Sequence, residues 1–184
     1  MFDTVRNGVV VVAHSDDEVL WSGGLLARYG EKFTVICCSI PRADPVRAWK
    51  FFEACDIFGA KPRLIPFTET PVQTALDNLG LLDLSGFDCV VTHNREGEYG
   101  HHHHRTLHSF VMKQWQDKTA TFGWSPERRG DIVLHLTAQE QAKKIAALRC
   151  YDHTSPRDQK PKWEALLERY SIDLRVETFH SPRS

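Results

Sequence analysis

Residues 8–18 read Gly-Val-Val-Val-Val-Ala-His-Ser-Asp-Asp-Glu, and this stretch decides the fold. Gly8–Ala13 is a continuous β-branched run, the pattern of a strand covered on both faces. Val19–Tyr29 follows with helical character and stops at Gly30. The same alternation continues along the chain. Phe33–Ile40 reads as a buried strand, Pro45–Phe58 as a helix ended by Gly59, and Arg63–Phe67 as a short strand. Asp88–His93 is another strand, and His101–Gln116 a helix. Asp131–Thr137 and Leu174–Phe179 read as strands, with helices over Ala138–Leu148 and Lys162–Tyr170. Thr74–Leu84 reads as a loose helix or turn, and Lys118–Gly130 and Tyr151–Pro161 as exposed loops. Strands alternating with helices predict one α/β domain over residues 1–184. It is Rossmann-like, with a mostly parallel sheet flanked by helices.

Composition narrows the function classes. Basic residues number 23 and acidic residues 24, for a net charge of −1, so the basic excess of a nucleic-acid binder is missing. The longest apolar run, Val9–Ala13, is too short to cross a bilayer, and the N-terminus does not read as a signal segment. The five cysteines match no zinc or redox spacing and read as reduced. The expectation is a cytoplasmic protein without nucleic-acid or membrane partners. Histidine stands out instead, with ten in the chain and four of them consecutive.

In open parallel sheets, ligands bind outside the carboxyl ends of the strands. Two chemically rich segments fall there. His14-Ser15-Asp16-Asp17-Glu18 follows the first strand. Its acids suit a helix N-terminus, where Ser15 or Asp16 could cap and negative charge meets the helix dipole. Imidazole beside carboxylates is also a common transition-metal site. The segment alone leaves both readings open. Asn94–His104, continuing to His108, follows the fourth strand, and Gly97 and Gly100 permit a tight turn. If the helix starts at His101, then His101, His104 and His108 share a face, while His102 and His103 point elsewhere. Two metal-capable segments at one sheet edge favour a metal-dependent site.

These residues resemble a known family. Ala13–Glu18 (AHSDDE) is similar to the AHPDDE motif of the PIG-L/LmbE-like zinc-dependent de-N-acetylases. Gly97–His104 (GEYGHHHH) resembles that family's Tyr/Ser-Gly-His-Pro-Asp-His segment. Arg47 with the following Phe58-Gly59 is similar to the family's arginine helix, and Lys162–Ser171 to its closing stretch. Four positions depart from the pattern. Ser15 stands for Pro, His102-His103 for Pro-Asp, and Lys50 for a common Glu. His103 cannot act as the anionic partner that the family's Asp provides.

The resemblance implies one Zn2+ per chain, or another divalent transition metal, held by His14, Asp17 and His104. It implies Asp16 as general base, a protonated His101 stabilising the oxyanion, and Tyr99 adding a hydrogen bond. The reaction implied is removal of an N-acetyl group from an amino sugar or glycoconjugate, releasing acetate and a free amine. Arg47 is expected either to contact substrate or to form an ion pair. Trp124, in an irregular segment, is a candidate for stacking on a sugar. The alternative is a metal-binding sugar sensor or complex subunit without catalysis. A homo-oligomer would supply a roof for a cleft that the short chain leaves open.

Overall fold

In the computed structural model, which describes residues 1–38, 46–65, 79–80, 82–123, 130–152 and 162–182, seven strands form one sheet. They are β1 (Gly8–Val12), β2 (Phe33–Cys37), β3 (Lys61–Leu64), β4 (Cys89–Thr92), β5 (Thr119–Phe122), β6 (Ile132–His135) and β7 (Val176–His180). Their spatial order is β3-β2-β1-β4-β5-β7-β6. All pairings are parallel except those of β7, which runs antiparallel to both β5 and β6. The chain moves outward from β1 through β2 to β3, then returns to place β4 on the other side of β1. The crevice above the ends of β1 and β4 is therefore the topological switch point, where ligands of such sheets bind.

The β1 valines show why this strand sits at the centre. Val10 and Val12 pack into one core, and Val9 and Val11 into the other, all fully buried. The first core lies under α1 (Asp17–Tyr29), α2 (Val46–Phe58) and α4 (Ala138–Cys150), and takes Trp163 and Leu167 from α5 (Lys162–Arg169). The second core takes Leu107 and Val111 from α3 (His102–Trp115). Each buried valine contributes about 1.5–3 kcal/mol by the apolar area removed from water. Edge strand β3 carries Pro62, tolerated where a missing N–H leaves no ladder bond unmade. All five cysteines are unbridged. Among the described residues no helix is long and apolar enough to cross a membrane.

The expected exposed loop over Lys118–Gly130 is wrong at its start. Thr119–Phe122 is strand β5, buried between β4 and β7. Its two threonines make it look polar. However, the Thr119 hydroxyl donates to the Trp115 carbonyl at 2.6 Å, which satisfies it within the fold. Most of Thr74–Leu84 and Tyr151–Pro161 lies outside the described residues.

Candidate active site

The turn after β1 and the turn after β4 meet above the switch point. Asp16 occupies the N-cap position of α1 with φ 120°, a conformation costly for a residue with a side chain. The acids of the next turn then point inward, and Asp17 and Glu18 are buried. In the second segment, Gly97 and Gly100 take φ of 69° and 93°. Glu98 between them is also left-handed, at φ 53°. This turn delivers His101 as N-cap in extended conformation, and α3 begins at His102.

Three donor atoms converge. His14 Nδ1, Asp17 Oδ2 and His104 Nε2 lie 3.2 Å from one another on all three sides. Ligand atoms about 2.0–2.2 Å from a tetrahedral zinc stand roughly 3.3–3.6 Å apart, so the triangle fits such an ion closely. The His14 backbone N–H also donates to Asp17 Oδ2 at 2.9 Å, and the Trp21 indole N–H to Asp17 Oδ1 at 3.0 Å. Burial would raise the Asp17 pKa. Nearby His104 and His14 outweigh it and hold the carboxyl well below its usual range.

Among the described residues two further clusters of possible ligands share this centre, His101 with His14 and His104, and His93 with Asp17 and His104. The hydrogen bonds of His93 argue against that role for it. The Ala13 N–H donates to His93 Nε2 at 2.9 Å, so Nε2 carries no proton and its lone pair is engaged. The proton therefore sits on Nδ1, which donates to Glu98 Oε2 at 2.8 Å. Burial lowers the His93 pKa, in keeping with a neutral ring.

Glu98 is the anion that the histidine run lacked. Its Oε2 also accepts from His104 Nδ1 at 2.5 Å, and its Oε1 from the Asn94 N–H at 2.9 Å. Burial alone would raise its pKa, but His93 and His104 hold it at about 2. Burial would likewise depress His104, yet Asp17 and Glu98 raise it to about 10. In the metal-free protein, His104 is thus an imidazolium whose Nε2 proton points into the triangle. A carboxylate on the outer nitrogen of a metal-facing histidine fixes its tautomer and raises its basicity.

The remaining expected residues gather around this centre. The His101 ring lies 4.7 Å from His14 and 4.6 Å from His104, with its buried Nδ1 lacking a hydrogen bond. Burial, followed by the neighbouring histidines, pushes His101 down to about 3. A neutral imidazole stands there, not the expected imidazolium. Tyr99 lies 5.5 Å from His104, ring to ring, and stacks on Tyr170 at 4.5 Å. Burial raises its pKa, so it is a phenol and not a phenolate. Arg47 donates to Asp16 Oδ2 at 2.5 Å and to the Ser15 carbonyl at 2.8 Å, which makes it the ion-pair partner of Asp16. Trp124 lies outside the described residues.

The histidine-face expectation needs correction. His103 does not point elsewhere, because its Nδ1 meets His14 Nε2 at 3.1 Å. His108 instead turns to the His93 carbonyl, at 2.9 Å. Helical spacing fails at His101, which caps α3 and is not part of it. Sequence reasoning also missed Glu98, His93, Trp21 and Tyr170. Glu98 carried one usable signal, an acid between the two turn glycines six residues before His104.

No protein-family model and no curated protein matches the chain by sequence. Solved structures do resemble it. The N,N'-diacetylchitobiose deacetylase of Pyrococcus horikoshii superposes with TM-score 0.71 at 15% identity, over 98% of this chain and 85% of that one. The 4-carboxy-2-hydroxymuconate hydratase GalB of Pseudomonas putida KT2440 gives 0.67 at 18%, over 97% and 98%. A zinc-inhibited form of the teicoplanin deacetylase Orf2 gives 0.61 at 14%, over 79% and 83%. The chain therefore has the α/β fold of these enzymes. Two of them, the chitobiose and teicoplanin deacetylases, belong to the LmbE/PIG-L-like superfamily.

Proposed function

We propose that this protein is a metal-dependent amide hydrolase that removes N-acetyl groups from an amino sugar or glycoconjugate. The observation that carries the reading is the triangle of His14, Asp17 and His104 donor atoms, each 3.2 Å from the others. These three residues would hold one divalent ion, zinc by the nitrogen and oxygen character of the set. When bound, such an ion lowers the pKa of water and polarises a carbonyl oxygen.

The chain's own groups account for the rest of the reaction. Asp16 takes a proton from the attacking water, as a positioned carboxylate can. Arg47 orients that carboxylate through their ion pair. The water oxygen bonds to the acetyl carbon, the carbon–nitrogen bond breaks, and Asp16 returns the proton to the departing amine. The products are acetate and a free amine. His101, as a neutral ring, and the Tyr99 phenol are the hydrogen-bond donors for the oxygen that gains charge. His103 supports His14 through its outer nitrogen. The deacetylases among the similar structures support this reaction class.

A second reading has its own support. The hydratase GalB matches this chain over nearly its whole length and adds water to a substrate of a different class. In that reading the same Asp16 and donor triangle would serve water addition to an unsaturated carboxylate. The metal-loaded protein is to be incubated with N-acetylated amino sugars, following free amine and acetate, and separately with unsaturated hydroxy-dicarboxylates. Amine release that is lost in Asp16→Ala, with metal content kept, supports the deacetylase reading. Turnover of the unsaturated acids alone would transfer the site to the hydratase reading.

A further inference from the structure

Helix α1 breaks directly after the turn that carries the site. Ser22 leaves the helical region at φ −137° and ψ 15°. The break separates Asp17–Trp21 from a second helical segment beginning at Gly23. Such a break frees carbonyls on one side and N–H groups on the other, and buried ones must find partners.

One buried ion pair meets both needs. Lys144 on α4 donates to the Leu20 carbonyl at 3.2 Å and to Glu177 Oε1 at 2.5 Å. Glu177 on β7 accepts from the Gly24 N–H at 2.6 Å and the Leu25 N–H at 2.9 Å. It therefore caps the second segment as a carboxylate caps a helix start. The small residues make the room. A Cβ at Gly23 would lie 2.9 Å from Lys144 Cγ, and one at Gly24 would lie 2.5 Å from Leu136 and 2.9 Å from the Glu177 carboxyl. Lys144 is fully buried and Glu177 nearly so. Buried ion pairs are often no more stabilising than apolar side chains of the same volume, so stability alone does not account for this one. What it supplies is a break of defined geometry.

That geometry reaches the Asp17 carboxylate through Trp21, while the Ser22 hydroxyl ties the break to the Glu18 carbonyl at 2.8 Å. Trp21 is the last residue before the break, and its indole N–H holds Asp17 Oδ1. The other carboxylate oxygen, Oδ2, faces His14 and His104. We propose that Lys144 and Glu177 are positioning residues that fix the break in α1 and, through Trp21, aim Asp17 Oδ2 into the donor triangle. The proposal rests on the metal reading above.

The test measures Co2+ affinity and the visible Co2+ spectrum, at a temperature where circular dichroism shows each variant folded. The variants are Lys144→Met, Glu177→Gln and Trp21→Phe. Leu84→Ala, a core truncation away from α1, is the control for lost stability. Both ion-pair variants are expected to bind Co2+ at least ten-fold more weakly and to change the cobalt bands. Trp21→Phe is expected to do the same, with a melting-temperature loss no greater than that of Leu84→Ala, so that lost stability does not account for the weaker binding. Leu84→Ala should melt lower yet keep wild-type affinity and spectrum. Wild-type affinity and spectrum in Trp21→Phe, or in both ion-pair variants, overturns the proposal. If neither ion-pair variant folds, Trp21→Phe decides it alone. Failure of the wild-type protein to bind Co2+ refutes the metal reading itself, a result distinct from these.

Discussion

Replacing Glu98 by Gln removes one charge and almost no volume, so its effect can be worked from the contacts. Glu98 Oε2 accepts from His93 and His104, and Oε1 from the Asn94 N–H. The least costly glutamine places its carbonyl oxygen on the two imidazoles and turns its amide N–H toward Asn94. One buried N–H then loses its acceptor, at about 1–3 kcal/mol, the bond from neutral His93 becomes an ordinary one, and the bond from His104 loses its anionic side. The His104 ring loses its anionic support. Removing such an outer partner of a metal-facing histidine typically weakens metal binding 10–100-fold, or about 1.4–2.7 kcal/mol. The proton on His104 is loosened as well. A carboxylate attracts a dication more strongly than a single proton charge, so net metal affinity still falls. The assay is Zn2+ competition against a chromophoric chelator at pH 8, with a thermal melt of the metal-free protein. The expected result is a 10–100-fold weaker Kd and a lower melting temperature. A folded Glu98→Gln variant binding zinc within two-fold of wild type would refute the assignment of Glu98 as the anchor of His104.

Other outcomes follow from the same site. Metal binding must displace the proton that His104 holds up to about pH 10 in the metal-free protein. Calorimetry at pH 8 in buffers of different ionisation heat should show about one proton released from His104 per ion, in addition to any lost by ion-bound water, and total release should drop by about one proton above pH 10. Asp16→Asn should lower turnover by about 10²–10⁴ while metal content by elemental analysis stays at wild type. Loss of metal would make Asp16 a ligand instead. Far from the site, Arg28 holds Glu140 at about 2, against an ordinary 4.5. A depressed carboxylate stabilises the fold above its unfolded pKa and loses that contribution as pH falls from about 4.5 to 2. Denaturant melts should show Arg28→Met losing less stability than wild type across that window. Equal slopes would remove the ion pair from the acid response.

The β1 run and the His14–Glu18 turn were legible in the sequence because each is a local pattern. A valine run without polar residues demands cover on both faces, and acids after a strand mark a helix start at the sheet's carboxyl edge. The grouping of His14, Asp17 and His104 came from the family resemblance of the two motifs; the sequence itself put each motif after a strand, and the fold sets those two strands side by side. Local patterns failed where a side chain's partner is distant or its backbone is irregular. Strand β5 was hidden because Thr119 finds its acceptor in the preceding helix end. His103 was misdirected because its partner, His14, lies in the turn after β1, 89 residues earlier, and the helical period within one segment says nothing of that turn. Glu98, bonded to His93, Asn94 and His104 within six residues of it, left a local trace. His93 and the Lys144–Glu177 pair declare themselves only in three dimensions. Each is a polar group whose burial is tolerable only because residues far along the chain complete its hydrogen bonds, and no spacing rule encodes such a meeting.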